Sequence, residues 1–135
     1  SLPKVLHTVG GVPMLKRVVD VAQTLQPQQV VVVHGEPLSP LQDAVDGVEW
    51  ALQAQPLGTG HAVMSAMAKL SDTQRVLVLY ADVPLIKANT LISFLQNTPK
   101  DHLGVLTAQV KKPYGLGRIL RSPNGWVIGI REERD

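Results

Sequence analysis

Two segments that follow strand-like runs carry residues suited to binding a ligand. The first contains Gln53 and then Leu57-Gly58-Thr59-Gly60-His61, where two glycines bracket a threonine at a predicted helix start. Glycines let a ligand approach the backbone, and the first turn of a helix has free N–H groups. The amide of Gln53 offers a donor and an acceptor to the edge of a base. The same residues also fit a plain loop capped by Thr59, with His61 as a partly exposed residue of the first helical turn.

The second segment is Tyr80-Ala81-Asp82-Val83-Pro84. An aspartate at the carboxyl end of a hydrophobic strand is well placed to bind Mg²⁺, which prefers carboxylate and phosphate oxygens. Capping of a turn is the alternative role for Asp82.

Single charges near the two ends of the sequence are also candidates. Lys4 interrupts the apolar run Leu2-Pro3-Lys4-Val5-Leu6 and could serve as a point charge for a phosphate. Glu132, Glu133 and Asp135 follow the last strand-like run, and a carboxylate there could accept hydrogen bonds from sugar hydroxyls. Simple solvent exposure is the alternative for all of these residues.

The composition excludes several classes of protein. The 135 residues include no cysteine, which excludes a disulfide scaffold, a zinc ribbon, an iron–sulfur site and a thiol nucleophile. Residues 1–67 hold three Lys/Arg and five Asp/Glu, a charge of −2, whereas residues 68–135 hold ten and six, a charge of +4. A basic half can face phosphates. The sequence has one Phe and no basic run interleaved with aromatic residues, so nucleic-acid binding is a weaker interpretation. No apolar run approaches the roughly 18 residues of a membrane span.

Alternating patterns predict the elements that position these residues. The pattern predicts strands at Val30–His34, Glu49–Gln53, Arg75–Tyr80 and Leu103–Val110. Helices are predicted from Pro13 to Leu25, over 38–46, from Thr59 to Leu70, and from Asn89 or Thr90 to Gln96. A hairpin is predicted from Arg118–Arg121 and Trp126–Ile130 around the turn Pro123-Asn124-Gly125.

This order of elements predicts an α/β fold with a mostly parallel sheet and an appended β-hairpin. In open α/β sheets the ligand binds beyond the carboxyl ends of the strands. The segments after Gln53, after Tyr80 and after Val110 lie at such ends and are therefore the candidates for a ligand site.

Taken in order, several strings resemble the uridyltransferase domain of bacterial N-acetylglucosamine-1-phosphate uridyltransferases. They are Leu2-Pro3-Lys4-Val5-Leu6-His7, Gly11-Val12-Pro13-Met14, Leu57-Gly58-Thr59-Gly60-His61-Ala62, Asp82-Val83-Pro84-Leu85 and Gly115-Leu116-Gly117-Arg118-Ile119. The resemblance covers essentially all 135 residues, and the string beginning at Leu57 is the most specific. It implies a Rossmann-like nucleotide-diphospho-sugar transferase fold and assigns residues 1–135 to one partial nucleotidyltransferase domain.

The resemblance also implies a role for individual residues. Lys4 matches a lysine that contacts the nucleotide phosphates, and Asp82 matches a Mg²⁺ ligand. Gln53, Gly58 and Thr59 match the positions that bind uracil, and Tyr80 and Ala81 lie beside the nucleotide and sugar. Gly117 and Glu132 match positions that bind N-acetylglucosamine, Glu132 only after allowing one extra residue in the hairpin turn.

The implied reaction joins UTP and N-acetylglucosamine 1-phosphate, with Mg²⁺ as cofactor, to give UDP-N-acetylglucosamine and pyrophosphate. Such enzymes are usually bifunctional, cytoplasmic and part of peptidoglycan synthesis, and an acetyltransferase half implies a homotrimer for the parent protein. The resemblance therefore implies neither a nucleic-acid nor a membrane partner.

This sequence differs from the family pattern in several places. The family usually has Gly at the position of Ala81 and often Gln or Glu near Pro56. A methyl group at Ala81 is expected to be tolerated, and the alternative is that it narrows the site. It also begins with a strand and a glycine-rich phosphate loop, and has a later asparagine that completes the Mg²⁺ site. We expect this sequence to lack both features, to expose unpaired strand edges, and to have little or no activity by itself.

Two alternatives remain open on the sequence alone. One is a sibling sugar-phosphate nucleotidyltransferase that uses another base or sugar. The other is a non-catalytic α/β module that binds nucleotide sugars, for which no dependence on Mg²⁺ is required.

Overall fold

A computed structural model describes residues 2–35, 38–70 and 75–132 of the chain, which divides into two units, residues 1–104 and residues 105–135. The first unit begins with a 3₁₀ turn at Lys4–Leu6. It continues through β1 (Thr8–Val9), β2 (Val12–Pro13), α1 (Met14–Thr24), β3 (Val31–His34), α2 (Ser39–Gln42), β4 (Glu49–Leu52), α3 (Thr59–Met67) and α4 (Ala88–Asn97). The second unit contains β5 (Arg118–Arg121) and β6 (Val127–Arg131).

Helix α1 provides much of the core of the first unit. Its apolar residues recur at helical spacing, and Leu15, Val18 and Val19 are buried. The core cluster joins side chains of α1 to those of the 3₁₀ turn and of the α2 region, and consists of Leu6, Leu15, Val19, Leu41 and Val45. Ala81 and Trp50 pack against this cluster from other parts of the chain. The same core therefore anchors the chain beside Lys4 and beside Asp82.

Strands β3 and β4 form a parallel pair, as the alternating pattern predicted. The register runs from Val31 opposite Glu49 to His34 opposite Leu52. The ladder continues one step further, because the N–H of Gln53 donates to the carbonyl of His34 at 2.8 Å. The rings of His34 and Trp50 meet edge to face, with centroids 5.9 Å apart. Gln53 is therefore fixed to the sheet through its own backbone.

The predicted strands at Arg75–Tyr80 and Leu103–Val110 are wrong, since neither segment belongs to a strand within the described residues. A β-strand exists through hydrogen bonds to a neighbouring strand, and an apolar run alone does not supply that neighbour. Many apolar side chains of the two segments are exposed as a result, among them Val76, Val78, Leu103, Leu106 and Val110. One parallel pair is thus present in place of the larger parallel sheet that the pattern predicted.

Three predicted helices differ at their ends. Helix α2 covers Ser39–Gln42 within the predicted 38–46, and α3 ends at Met67, before Leu70. Neither Asn89 nor Thr90 caps α4, because the first helical carbonyl belongs to Lys87, which accepts from the N–H groups of Thr90 and Leu91. Lys87 has the extended backbone of an N-cap residue, so the helix begins at Ala88 and both Asn89 and Thr90 lie inside it.

The second unit is the predicted hairpin. Strands β5 and β6 are antiparallel, and Arg118 lies opposite Arg131. The turn closes with a hydrogen bond of 2.9 Å from the N–H of Gly125 to the carbonyl of Ser122. The second strand begins at Val127, one residue later than predicted, and Trp126 at its start is exposed.

No helix within the described ranges is long and apolar enough to cross a bilayer. The assignment of residues 1–135 to one nucleotidyltransferase domain stays a prediction.

Candidate functional site

Lys4 and Asp82 form an ion pair although 78 positions separate them in the chain. The Nζ atom of Lys4 lies 2.8 Å from Oδ2 of Asp82. Both side chains remain accessible to solvent, with 75% of the lysine and 41% of the aspartate exposed. The structure therefore brings together the residues proposed for the phosphates and for the metal.

Buried neighbours position both members of this pair. Leu6, two residues after Lys4, is buried in the core and ends the 3₁₀ turn. Ala81, directly before Asp82, packs against the same core. A turn follows, in which the N–H of Val83 donates to the carbonyl of Tyr80 at 3.1 Å. The apolar anchors hold the backbone while the charged ends point outward.

The pairing changes the electrostatics of Asp82. The hydrogen bond from Lys4 lowers the pKa of the Asp82 carboxyl below its ordinary value of 3.8, and the charge of Lys4 acts in the same direction against partial desolvation. Asp82 is therefore an anion at neutral pH. An ionised carboxylate is the form that binds a hard divalent cation.

The donor set suits a metal held mainly by its substrate. Within the described ranges no three His, Asp or Glu side chains come together as a closed metal cage. Mg²⁺ commonly binds through one or two carboxylates and completes its shell with water and phosphate oxygens. A single ionised Asp82 at an exposed position fits that kind of site.

A second group of polar residues lies just past β4. The Nε2 atom of Gln53 donates to the carbonyl of Gly58 at 3.1 Å and lies 3.0 Å from Nδ1 of His61. Gln53 and His61 are half-buried. These contacts hold the Gln53 amide against the start of α3.

Gly58 turns the chain into α3. Its backbone adopts φ +96° and ψ 179°, a region that is essentially restricted to glycine. Gly58 is the N-cap, and Thr59 is the first helical residue, so the prediction that Thr59 caps this helix is wrong. Thr59 is exposed at the N-terminal end of α3, beside the free N–H groups of the first turn.

Gly117 and Glu132 meet in the second unit. The register of the hairpin places them just beyond the Arg118–Arg131 pair. A Cβ atom added to Gly117 would lie 3.2 Å from Cγ2 of Ile130 and 3.3 Å from Oε1 of Glu132. Glycine at this position therefore allows the carboxylate of Glu132 to lie close to the backbone.

Tyr80 and Ala81 have different surroundings. Tyr80 is exposed, whereas the methyl group of Ala81 is partly buried against the core. Ala81 also lines a cavity of about 280 Å³ together with Lys4, Val32 and His34. Whether the methyl group of Ala81 is tolerated by a bound substrate stays a prediction.

Sequence reasoning missed the contact between His61 and Gln53. It placed His61 correctly in the first turn of a helix but gave it no partner. Gly58 could have indicated this contact. A glycine allows a sharp turn between the end of β4 and the start of α3, and such a turn places the third helical residue, His61, next to the end of the strand.

Comparisons with known proteins agree with the resemblance. The family model described as MobA-like NTP transferase domain matches residues 1–121. Over its whole length the chain is 47% identical to the "Bifunctional protein GlmU" of Coxiella burnetii strain CbuG_Q212, and 49% identical to the protein of that name from Cupriavidus metallidurans. The corresponding protein of Cupriavidus necator is 48% identical. The chain spans about 30% of the length of each of these relatives.

Proposed function

Because this chain belongs to the family of MobA-like NTP transferase domains, we propose that it takes part in uridylyl transfer from UTP to N-acetylglucosamine 1-phosphate. The products are UDP-N-acetylglucosamine and pyrophosphate. The observation that carries the proposal is the 2.8 Å pair of Lys4 and Asp82, which supports a shared role at the phosphates. The sugar and the base follow from the resemblance in the strings that surround these residues.

The proposed reaction needs positioning and charge neutralisation more than covalent help. An oxygen of the sugar phosphate attacks the α-phosphorus of UTP in line. A new oxygen–phosphorus bond forms, and the bond to the β-phosphate oxygen breaks, so pyrophosphate leaves with that electron pair. No general base is needed, since the attacking phosphate is already an anion.

Lys4 and Asp82 have different roles in neutralising the charge of the phosphates. The ammonium group of Lys4 binds phosphate oxygens directly and offsets their charge. Asp82 would hold Mg²⁺, which supplies charge neutralisation at the phosphate oxygens when bound. Binding of the metal and the nucleotide would replace the direct Lys4–Asp82 contact, so the pair marks the place where both charges are needed.

The remaining residues recognise the two ends of the substrate. Gln53, Gly58 and Thr59 contact the uracil ring, and their position at the end of β4 and the start of α3 supports this role. Gly117 and Glu132 bind N-acetylglucosamine, because the carboxylate of Glu132 can accept from sugar hydroxyls. Tyr80 and Ala81 are proposed to lie beside the nucleotide and sugar, next to Asp82.

The fold, setting and assembly belong to the same proposal. A nucleotide-diphospho-sugar transferase fold with a larger, mostly parallel sheet is the fold we propose for the complete protein. We expect a cytoplasmic enzyme that supplies peptidoglycan synthesis, assembled as a trimer through an acetyltransferase half. Residues 1–135 alone are expected to show little or no turnover.

Replacing Asp82 by alanine in the complete protein tests the proposal. Loss of the carboxylate should abolish Mg²⁺-dependent turnover, measured as pyrophosphate release. Asp20 gives a matched control, because it pairs with Lys16 at the same 2.8 Å and is similarly exposed. Asp20→Ala should leave turnover unchanged, whereas undiminished activity of Asp82→Ala would exclude the metal assignment.

Competition among nucleotides identifies the base. UTP should bind more tightly than CTP, GTP or ATP in the presence of Mg²⁺. Preference for another nucleotide would indicate a sibling nucleotidyltransferase, and binding that ignores Mg²⁺ would indicate a non-catalytic module.

A further inference from the structure

The side-chain amide of Gln53 has both of its N–H groups occupied within the protein. One faces the carbonyl oxygen of Gly58 at 3.1 Å, and the other faces Nδ1 of His61 at 3.0 Å. A primary amide nitrogen has two donors and no more. The nitrogen of Gln53 is therefore saturated before any ligand arrives.

The carbonyl of Gly58 fixes which way this amide points. A backbone carbonyl can only accept, so the amide nitrogen must face it. The reverse orientation would place Oε1 against the Gly58 oxygen and leave two acceptors in contact. The nitrogen must then also donate to His61, and this requires an unprotonated Nδ1 with the imidazole proton on Nε2.

This orientation leaves Oε1 of Gln53 as the group that can serve a ligand. An oxygen acceptor pairs with an N–H on the edge of a base. Uracil presents a donor at N3, whereas cytosine presents an acceptor at the equivalent nitrogen and would meet Oε1 as a second acceptor. A fixed amide thus discriminates between two pyrimidines of nearly identical shape, because a wrong partner leaves polar groups unpaired.

We propose that His61 is a positioning residue that occupies the second N–H of the Gln53 amide, so that only the amide oxygen is presented to the base, and thereby sets the preference for uracil over cytosine. The inference rests on the proposed function, in that Gln53 is taken as a base-binding residue. His61 itself does not contact the nucleotide. Without His61 the Gly58 carbonyl still binds one amide proton and keeps the direction of the amide, but the second N–H is released and can donate to an acceptor on the base.

A purely structural role for His61 makes a different prediction. His61 lies in the first turn of α3, where its carbonyl accepts from the hydroxyl of Ser65 at 2.9 Å. Loss of a residue that only supports the helix would lower stability and affect binding of both pyrimidine nucleotides alike. The ratio of UTP to CTP affinity is therefore the informative measurement.

The test compares His61→Leu, His61→Asn and His102→Leu in the complete protein with Mg²⁺. His61→Leu removes the acceptor and should lower the UTP-to-CTP affinity ratio by about fivefold, the order expected for one hydrogen bond. His61→Asn should restore the ratio, because Oδ1 of asparagine lies about where Nδ1 lay. His102 is exposed and remote in sequence from this cluster, so His102→Leu is the matched control and should match the wild type.

The outcomes separate this inference from the function on which it rests. A wild-type protein that does not prefer UTP overturns the proposed base, whatever the variants do. A wild-type preference that survives in His61→Leu overturns the positioning role alone.

A spectroscopic measurement on the wild type covers the case in which the leucine variant does not fold. The nitrogen chemical shifts of ¹⁵N-labelled histidine should report a neutral His61 ring with its proton on Nε2, coupled to a slowly exchanging Gln53 amide. A proton on Nδ1 in the ligand-free protein would contradict the inference without any reference to activity.

Discussion

Lys4 and Asp82 meet across 78 positions of chain, whereas Gln53 and His61 are only eight positions apart. The first pair is exposed and is held in place by apolar neighbours, the buried Leu6 and the partly buried Ala81. The second contact is half-buried and is formed by one strand end, one glycine and one helical turn. The Lys4–Asp82 pair depends on core packing, whereas the Gln53–His61 contact depends on the local backbone. Substitutions in the core and at Gly58 should therefore affect the two contacts differently.

After the loss of the Asp82 carboxylate, the largest effect on turnover is expected from Lys4→Ala. Removing the only charge that this segment contributes to the phosphates should lower kcat/KM for UTP by about a hundredfold, in the range found for other groups that stabilise developing charge. Stability should change by less than about 1 kcal/mol, because the pair is exposed. Lys16→Ala removes an equivalent exposed lysine and should change neither quantity; equal losses in both variants would contradict the phosphate role.

A smaller loss is expected when the anchor of Lys4 is removed. Leu6 is buried, so Leu6→Ala should lower the free energy of unfolding by about 3 kcal/mol in urea titrations. Turnover should fall with it, since Lys4 loses its support, but the UTP-to-CTP ratio should remain. Leu2 is exposed in the same segment, and Leu2→Ala should leave stability and turnover unchanged. A shifted nucleotide ratio in Leu6→Ala would show that the two sites are not independently held.

The local cluster should be sensitive to backbone strain in a way that the ion pair is not. Gly58→Ala forces a Cβ into φ +96° at a cost of about 1–3 kcal/mol, or moves the Gly58 carbonyl away from Gln53. UTP binding, measured by titration calorimetry, should weaken several-fold. Gly60→Ala is the matched control, because neither position has an atom within 4 Å of an added Cβ and only Gly58 has positive φ. Equal effects at the two glycines would exclude strain as the cause.

The smallest effect concerns pH. The folded protein holds the Asp82 proton less tightly than the unfolded chain, since Lys4 lowers the pKa of this carboxyl below 3.8. The pair therefore stabilises the folded state above that pH, and its contribution is lost as pH falls through the lowered pKa. A carbon NMR titration of the Asp82 carboxyl should show this pKa, and Lys4→Met should return it toward 3.8. An unchanged titration in Lys4→Met would mean that the two charges do not interact in solution.

The sequence predicted the local features of the molecule better than the long-range ones. Helix α1, the β3–β4 pair and the hairpin follow from periodicity and turn chemistry over a few residues, and the structure contains all three. The strands predicted at Arg75–Tyr80 and Leu103–Val110 are absent because an apolar run needs paired neighbours to become a strand. An apolar pattern shows that a segment is able to form a strand, but the strand forms only where another strand is available for pairing.

The same distinction applies to the candidate site. The side chains of Lys4, Gln53 and Asp82 indicated which ligand groups each could bind. The sequence pattern alone did not predict that Lys4 would contact Asp82. That contact depends on the packing of Leu6 and Ala81 into a common core. The role of His61 was missed for the opposite reason, since its contact is local but depends on the unusual backbone of Gly58.

The edge-to-face contact of Trp50 with His34 gives the protein an internal optical label. The chain has two tryptophans, and they lie in different units, Trp50 packed against the first core and Trp126 exposed at the hairpin turn. An indole shielded from water emits at shorter wavelength than one in contact with it. Replacing Trp126 by phenylalanine would therefore leave Trp50 as the single indole of the molecule, and a shift of its emission to longer wavelength would follow the melting of the first unit.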